Sequence, residues 1–149
     1  MKRHIVIAAS LIIAALSIST AGCASRDSGR ISDSFELAGT SWHLQSYGLA
    51  SQQKTLLSST EITLVFDGNA SHISGNAGIN LYGGDCEIHG SGISISQIYQ
   101  TQLGSPDISG VTQQENDYLT LLAKAERFSE DCCGLIIFCD GGELHFVSG

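Results

Sequence analysis

The sequence predicts a small α+β domain that is mostly β: a curved antiparallel sheet or partly open barrel of seven to eight short strands, with one helix. Apolar and polar residues alternate in several short segments, which is the period of a half-buried strand. Glycine-rich turns separate these segments, and a single later segment has apolar residues at helical spacing instead. Seventeen glycines and one proline place the bends in the turns rather than inside the strands.

The predicted strands follow one another as hairpins. In the segment 41–47, Trp42 and Leu44 alternate with polar residues, so both side chains are expected in the core. The segment 49–59 is predicted to be a loop. Further strands are expected at residues 62–66, 70–76, 81–88, 92–99, 128–130, 135–139 and 143–147. Asp67-Gly68-Asn69 is typical of a hairpin turn, and the alternation slips at Gln97-Ile98, which indicates a bulge.

The predicted helix follows a capping pattern. Thr112-Gln113-Gln114-Glu115 has the spacing of a capping box, which satisfies the free N–H groups of a helix start. The apolar residues that follow lie on one helical face: Tyr118, Leu121, Leu122 and Ala125. This pattern predicts a helix of about three turns that packs one face against the sheet.

Residues 1–22 have the order of a bacterial lipoprotein signal peptide. Two basic residues precede fourteen uncharged ones, and two small residues come directly before Cys23. A cysteine at this point resembles a lipobox, so thioether lipidation of Cys23 is expected, although Thr20 stands where that pattern usually has Leu, Val or Ile. The alternatives are an uncleaved short transmembrane helix and cleavage without acylation.

The rest of the chain divides into a tether and one domain. Residues 23–36 are polar and are expected to form a flexible tether. All ten aromatic residues come after Cys23, and residues 37–149 are expected to fold around one core. The predicted location is therefore the cell envelope, on the extracytoplasmic side of a membrane that the lipid binds.

The charge of the chain disfavours nucleic acid as a partner. Lys2 and Arg3 belong to the export segment, so five basic residues remain against fifteen acidic ones, a net charge of −10. Such a surface repels phosphate backbones. The basic residues are scattered and form no cluster with aromatic residues.

Three motifs in order resemble one known family. The segment 37–44 has the pattern Leu-x-Gly-Thr-x-Trp-x-Leu, the stretch 75–84 is glycine-rich with Asn80 and Tyr82 inside it, and the segment 101–105 precedes the helix. These motifs resemble the META domain family, also called the HslJ-like or DUF306 family. The resemblance runs from residue 37 to residue 147. It implies a small α+β fold in bacterial envelope proteins, often lipoproteins, with stress-related members and no established enzymatic chemistry.

Two positions depart from the family pattern. Ile79 and Ser105 stand where the family has cysteines that look like disulfide partners in relatives. Their joint replacement implies that this bond is lost cleanly, without a stray thiol.

The glycine-rich stretch 75–84 has two interpretations. In the structural one, its glycines allow positive φ angles and a tight strand transition, while Asn80 bonds to nearby backbone. In the other, the stretch is a binding loop. The candidate binding residues would then be Gly75, Gly78, Asn80 and Tyr82.

No local pattern predicts a catalytic site, a metal site or a cofactor. No Gly-x-Ser-x-Gly elbow occurs, the histidines after the export segment fall on expected strand faces or turns, and aspartates are common in turns for backbone bonding. Cys132-Cys133 and Cys139 with His145 lack the spacing that zinc sites use.

Cys86 is the expected member of any disulfide. Cys132 and Cys133 are adjacent, which is too close for an unstrained bond, and an extended segment separates them from Cys139 by roughly 20 Å. At most one internal disulfide is therefore predicted, between Cys86 and a cysteine of that group, with Cys132 or Cys133 the favoured partner.

The sequence favours a non-enzymatic envelope lipoprotein whose domain binds or shields another envelope component. A role during stress is one form of this hypothesis. The partners would be the membrane, through the lipid anchor, and an unidentified envelope component. Two alternatives remain open. One is a small envelope hydrolase whose groups converge only in the fold. The other is a lipid-binding or pilot-like carrier with an apolar interior pocket.

Overall fold

The computed structural model describes residues 37–58, 60–103, 110–130 and 134–149. The predicted signal peptide, lipidated Cys23 and tether lie outside the described residues, as do Cys132 and Cys133. The elements are β1 (Ser41–Leu49), β2 (Gln52–Thr55), β3 (Thr63–Phe66), β4 (His72–Asn76), β5 (Leu81–His89), β6 (Gly92–Gln100), α1 (Val111–Leu122), β7 (Ala125–Glu130), β8 (Leu135–Cys139) and β9 (Gly142–Ser148). The predicted mostly β α+β class is confirmed.

Eight of the strands close into an antiparallel barrel. The order is β1-β3-β4-β5-β6-β7-β8-β9, and β9 returns to pair with β1 from Trp42↔Ser148 to Gly48↔Glu143. The sequence predicted either a curved sheet or a partly open barrel, and the pairing of β9 with β1 shows that the barrel is closed. Closure removes the free edges of β1 and β9, which would otherwise expose unpaired backbone groups.

The predicted loop at 49–59 is wrong in its first half, because residues 52–55 form β2. This strand pairs with the end of β1, from Ser46↔Thr55 to Leu49↔Gln52. Its side chains are exposed or half-buried, so it has no buried face. A strand without a buried apolar face shows no apolar alternation, and the sequence pattern therefore missed it.

The predicted bulge in β6 is confirmed. Two residues of β6, Gln97 and Ile98, stand opposite the single residue Gly84 of β5. Gln97 has a φ of 51°, the left-handed conformation that the extra residue of a bulge can adopt.

Trp42 lies in the barrel core, as its alternation predicts. Its side chain is 5% exposed, and its indole Nε1 donates a hydrogen bond of 2.7 Å to Thr40 Oγ1. The interior is one contiguous cluster that holds most of the large buried side chains: Leu37, Trp42, Leu44, Tyr47, Ile62, Leu64, Phe66, Ile73, Tyr82, Ile93, Ile95, Tyr118, Leu122, Phe128, Leu135, Ile137, Leu144 and Phe146.

The predicted capping box is wrong. The helix begins two residues earlier, with Gly110 in place of Thr112 as N-cap, at a φ of 90° and with no side-chain cap bond. It ends at Leu122, and Ala125 starts β7 instead of extending the helical face. Glu115 is buried and bonds to the turn between β4 and β5, so its carboxyl group is not available to the helix start.

The helix closes one end of the barrel. Its buried residues face the turns that join β2 to β3 and β4 to β5, and Lys124, just after the helix, lies near Asp140 in the turn between β8 and β9. The opposite end is covered by the start of the domain, where Leu37 is fully buried and the Gly39 N–H donates to the Asp67 carbonyl. No helix in the described ranges is long and apolar enough to span a membrane.

Candidate functional site

The β4–β5 turn is bonded to the helix through one buried carboxyl group. Glu115 is 3% exposed. Its Oε2 accepts hydrogen bonds from the backbone N–H groups of Ile79 and Asn80, at 3.0 and 2.9 Å, and its Oε1 accepts one from Asn80 Nδ2 at 2.7 Å. Three donors thus satisfy one buried acceptor group and fix the turn against the helix.

Asn80 bonds in a second direction as well. Its Oδ1 accepts from the Leu103 N–H at 2.9 Å and from Thr101 Oγ1 at 3.3 Å. This single side chain therefore joins the turn, the helix and the segment after β6.

Below this turn, two tyrosines meet inside the barrel. The hydroxyl groups of Tyr82 and Tyr118 are 2.7 Å apart, and Tyr82 also donates to the Thr63 carbonyl at 2.9 Å. Burial raises the pKa of both hydroxyl groups. They stay protonated at physiological pH and serve the core as neutral hydrogen-bonding groups.

The structure places each of the four binding-loop candidates in internal contacts. A Cβ on Gly75 would lie 2.0 Å from the Thr63 carbonyl oxygen, so only glycine allows that strand approach. Gly78 has a φ of 118°. Asn80 and Tyr82 use their side chains in the networks just described. These contacts favour the structural interpretation, and ligand binding by the loop stays a prediction.

A groove lies between the first hairpin and the outer face of the helix. It encloses about 470 Å³, and its walls are β1–β2 on one side and α1 on the other, with the β8–β9 turn at one end. The lining side chains are mostly polar: Tyr47, Leu49, Gln52, Lys54, Gln113, Asn116, Asp117, Thr120, Leu121, Lys124 and Asp140. Two further cavities, of about 350 and 440 Å³, lie on the outer faces of strands.

An ion pair bridges the two walls of this groove. Lys54 Nζ donates to Asp117 Oδ2 at 3.2 Å and lies 5.6 Å from the centre of the Tyr47 ring. Gln113 Nε2 bonds the other carboxylate oxygen of Asp117 at 2.6 Å. The hydrogen bond to Asp117 raises the pKa of Lys54, and burial raises the pKa of Tyr47, so lysine is charged and tyrosine neutral at physiological pH.

Ser71, His72 and Asp85 form a connected group at the opposite end of the barrel. His72 Nδ1 is 3.1 Å from Ser71 Oγ, and its Nε2 is 3.2 Å from Asp85 Oδ1. The side chain of His72 is 66% exposed, and none of the three residues lines the cavities described above. A catalytic group needs a site that excludes water and holds the substrate, and this exposed cross-strand group lacks one.

Asp67 gives this group a structural explanation. It accepts hydrogen bonds from the backbone N–H groups of Ser71 and His72 and from Ser71 Oγ. Burial acts to raise the pKa of the Asp67 carboxyl group, but these bonds outweigh it and lower the pKa. The aspartate is a turn residue, as its position predicts.

A family model that matches most of the chain shows which family the protein belongs to. The META domain family model matches residues 35–148. The chain belongs to the META domain family. The resemblance that the three motifs carried is thereby confirmed.

Solved structures share the fold of this META domain at low identity. An NMR structure of a protein from Burkholderia xenovorans is 23% identical, with a TM-score of 0.65, over 76% of this chain and 84% of that chain. A crystal structure of a DUF4847 family protein from Bacteroides vulgatus ATCC 8482 is 13% identical, with a TM-score of 0.54, over 74% and 93%. No curated protein matches the chain. These likenesses show the fold alone.

The two described cysteines of the META domain are not bonded to each other. Cys86 is buried on β5 and Cys139 is half-buried at the end of β8. Burial raises the pKa of each thiol to about 12. Cys132 and Cys133 lie outside the described residues, so their pairing with Cys86 stays a prediction.

Peptide mapping tests the disulfide. The protein is unfolded without reductant, alkylated and digested, because buried protonated thiols of the folded domain react slowly. We expect at most one internal disulfide, containing Cys86. Two internal bonds, or one without Cys86, would contradict the prediction that an extended segment keeps Cys132 and Cys133 away from Cys139.

The sequence did not reveal the groove. Its residues come from the end of β1, from β2, which was predicted as a loop, from the outer side of the helix and from the β8–β9 turn. Leu121, predicted on the buried helical face, is only half-buried and lines the groove instead. The pairing of Lys54 with Asp117 joins positions 63 residues apart, which no local pattern reports. The exposed polar positions on the helix were the one available signal, and they are equally typical of a solvated face.

Proposed function

We propose that this protein is a lipid-anchored envelope protein whose META domain is a non-enzymatic binding domain. The observation that carries the proposal is the separation of the two ends of the barrel. The chain enters the domain at the end beside the Asp67 turn, and the groove lies beside the helix at the other end. An anchor at Cys23 would therefore attach to the domain at the end away from the groove and would not cover it.

The packing of the interior supports binding at the surface over the carrier alternative. A lipid carrier needs an apolar cavity between sheet and helix. Here one cluster of buried side chains occupies that space, and Tyr118 and Leu122 of the helix are fully buried within it. An acyl chain would have to displace close-packed side chains, each of which contributes to stability.

The chemistry of the described residues also supports a binding role over the hydrolase alternative. The connected side chains of Ser71, His72 and Asp85, of which the last two are exposed, lie at the start of β4 and on the neighbouring β5, outside the described cavities. The histidine pairs elsewhere, His43 with Glu61 and His145 with Glu143, lie on strands of the barrel wall or beside them. Such pairs are common surface contacts of small stabilising effect.

Metabolic labelling tests the anchor. Radiolabelled palmitate should appear on the protein, and Cys23→Ser should abolish the label and release the domain from the membrane fraction. A Cys23→Ser protein that stays membrane-bound and unlabelled would instead support an uncleaved helix. Replacement of Cys86, which lies inside the barrel, should leave the label unchanged and serves as the matched cysteine control.

A pull-down and a deletion strain test the binding role. The anchored protein should retain an envelope component, and a strain without it should differ from its parent under heat or envelope-active antibiotics. The absence of both a partner and a phenotype would overturn the proposal.

A further inference from the structure

We propose that the groove between the β1–β2 hairpin and the helix binds a neutral, hydroxyl-rich ligand, a segment of glycan. The inference rests on the proposed function, because it names the chemical class of the envelope component. Three properties of the groove carry it: unused hydrogen-bonding groups, balanced charge and an apolar floor.

The first property is the presence of free polar groups on both walls. Within the described ranges, the side chains of Gln52, Asn116 and Thr120 are exposed and make no hydrogen bond to the protein. Gln52 belongs to the hairpin wall, and Asn116 and Thr120 belong to the helix wall. Amide groups both donate and accept, as hydroxyl groups do, so these residues match the bonding pattern of a sugar.

The second property is the balance of charge. Lys54 and Lys124 are two of the three basic residues in the described part of the chain, and both line the groove. Each lies near an aspartate of the same groove, Asp117 at 3.2 Å and Asp140 at 3.9 Å. The groove is therefore neutral on an acidic protein. A charged ligand would have to compete with these internal pairs, whereas a neutral one leaves them intact.

The third property is the apolar part of the lining. Leu49 is exposed and Leu121 is half-buried, so both contribute aliphatic surface between the polar walls, and the buried Tyr47 ring lies at the base of the lining. Sugar rings present C–H faces that pack on such surface while their hydroxyl groups bond to the sides. A volume of about 470 Å³ is within the range of small-ligand sites, roughly 300–1,000 Å³.

Calorimetric titration tests the proposal with defined probes. The full chain is purified in a polyoxyethylene detergent, which carries no sugar, and titrated with an N-acetylglucosamine tetramer, a glucose tetramer and a heparin fragment. We expect a neutral oligosaccharide to bind and heparin not to bind. The affinity should change less than about twofold between about 0.05 and about 0.5 M NaCl, because screening weakens only charged contacts.

Matched variants locate the site. Gln52→Ala and Asn116→Ala should each weaken binding by about tenfold, the change expected when a ligand hydrogen bond is lost. Gln100→Ala removes an equally exposed amide from β6, outside the groove, and should leave the affinity unchanged. Thermal melts of all three variants should coincide with that of the parent, since none of these side chains is buried.

Each other outcome overturns the inference. Failure of both neutral oligosaccharides to bind, binding of heparin in their place, or equal affinity in the groove variants would exclude a neutral glycan in this groove. If the anchored protein still retains an envelope component in the pull-down, the groove inference alone has failed. If the protein retains no envelope component in the pull-down and also takes up no palmitate label, the proposed function itself is overturned.

Discussion

Trp42→Ala is expected to lower the free energy of unfolding by about 3–5 kcal/mol, a large share of the roughly 5–15 kcal/mol that holds a small domain together. The substitution leaves a cavity in the barrel interior and removes the bond from the indole to Thr40 Oγ1. Urea denaturation of the fragment 25–149, followed by far-ultraviolet circular dichroism, measures the loss. This fragment contains the whole described core.

Trp42→Phe is the matched control. It retains most of the buried aromatic surface and loses the bond to Thr40, so it should cost clearly less than alanine, about 1–3 kcal/mol. An alanine variant with an unchanged urea midpoint would contradict the burial of this side chain.

Glu115→Ala is expected to lower the free energy of unfolding by about 3 kcal/mol, because it removes three hydrogen bonds and each contributes roughly 1 kcal/mol net. The backbone N–H groups of Ile79 and Asn80 and the Asn80 amide all lose their partner. The same urea titration measures the effect. Amide hydrogen exchange should also speed up at residues 79 and 80, where the turn loses its contact with the helix.

Two variants separate this tertiary role from a capping role. Glu115→Gln keeps one acceptor oxygen and should cost less than alanine, roughly 1–2 kcal/mol. Thr112→Ala should change stability by no more than about 0.5 kcal/mol, since no side-chain cap bond exists at this helix start. A loss of about 1 kcal/mol in Thr112→Ala would instead indicate the capping box that the sequence predicted.

Most of the strands were predictable, because a strand with one buried face has apolar residues at every second position of its sequence. Trp42 and Leu44 mark β1 in this way, and Gly84 opposite Gln97 and Ile98 confirms the bulge that the broken alternation indicated. β2 has no buried face and left no such period.

The candidate site was less predictable, because its residues come together only through the fold. Lys54 and Asp117 are on elements that meet when the helix crosses the barrel end beside the first hairpin. Of the four candidates named in the β4–β5 stretch, Gly75 allows a close strand approach and Asn80 bonds to Glu115.

By itself the sequence determined the α+β class, the order along the chain of the eight strands that form the barrel, the family and the core position of Trp42, because each depends on local period or on a short motif. Only the tertiary structure decided that β9 closes on β1, that Glu115 bonds to the β4–β5 turn and that a neutral groove lies beside the helix. The pattern Thr-x-x-Glu fits a capping box, but it is equally compatible with a glutamate that accepts hydrogen bonds from another part of the fold. The turn between β4 and β5 presents three donors at that point, and these donors outcompete the single N–H group of a helix start.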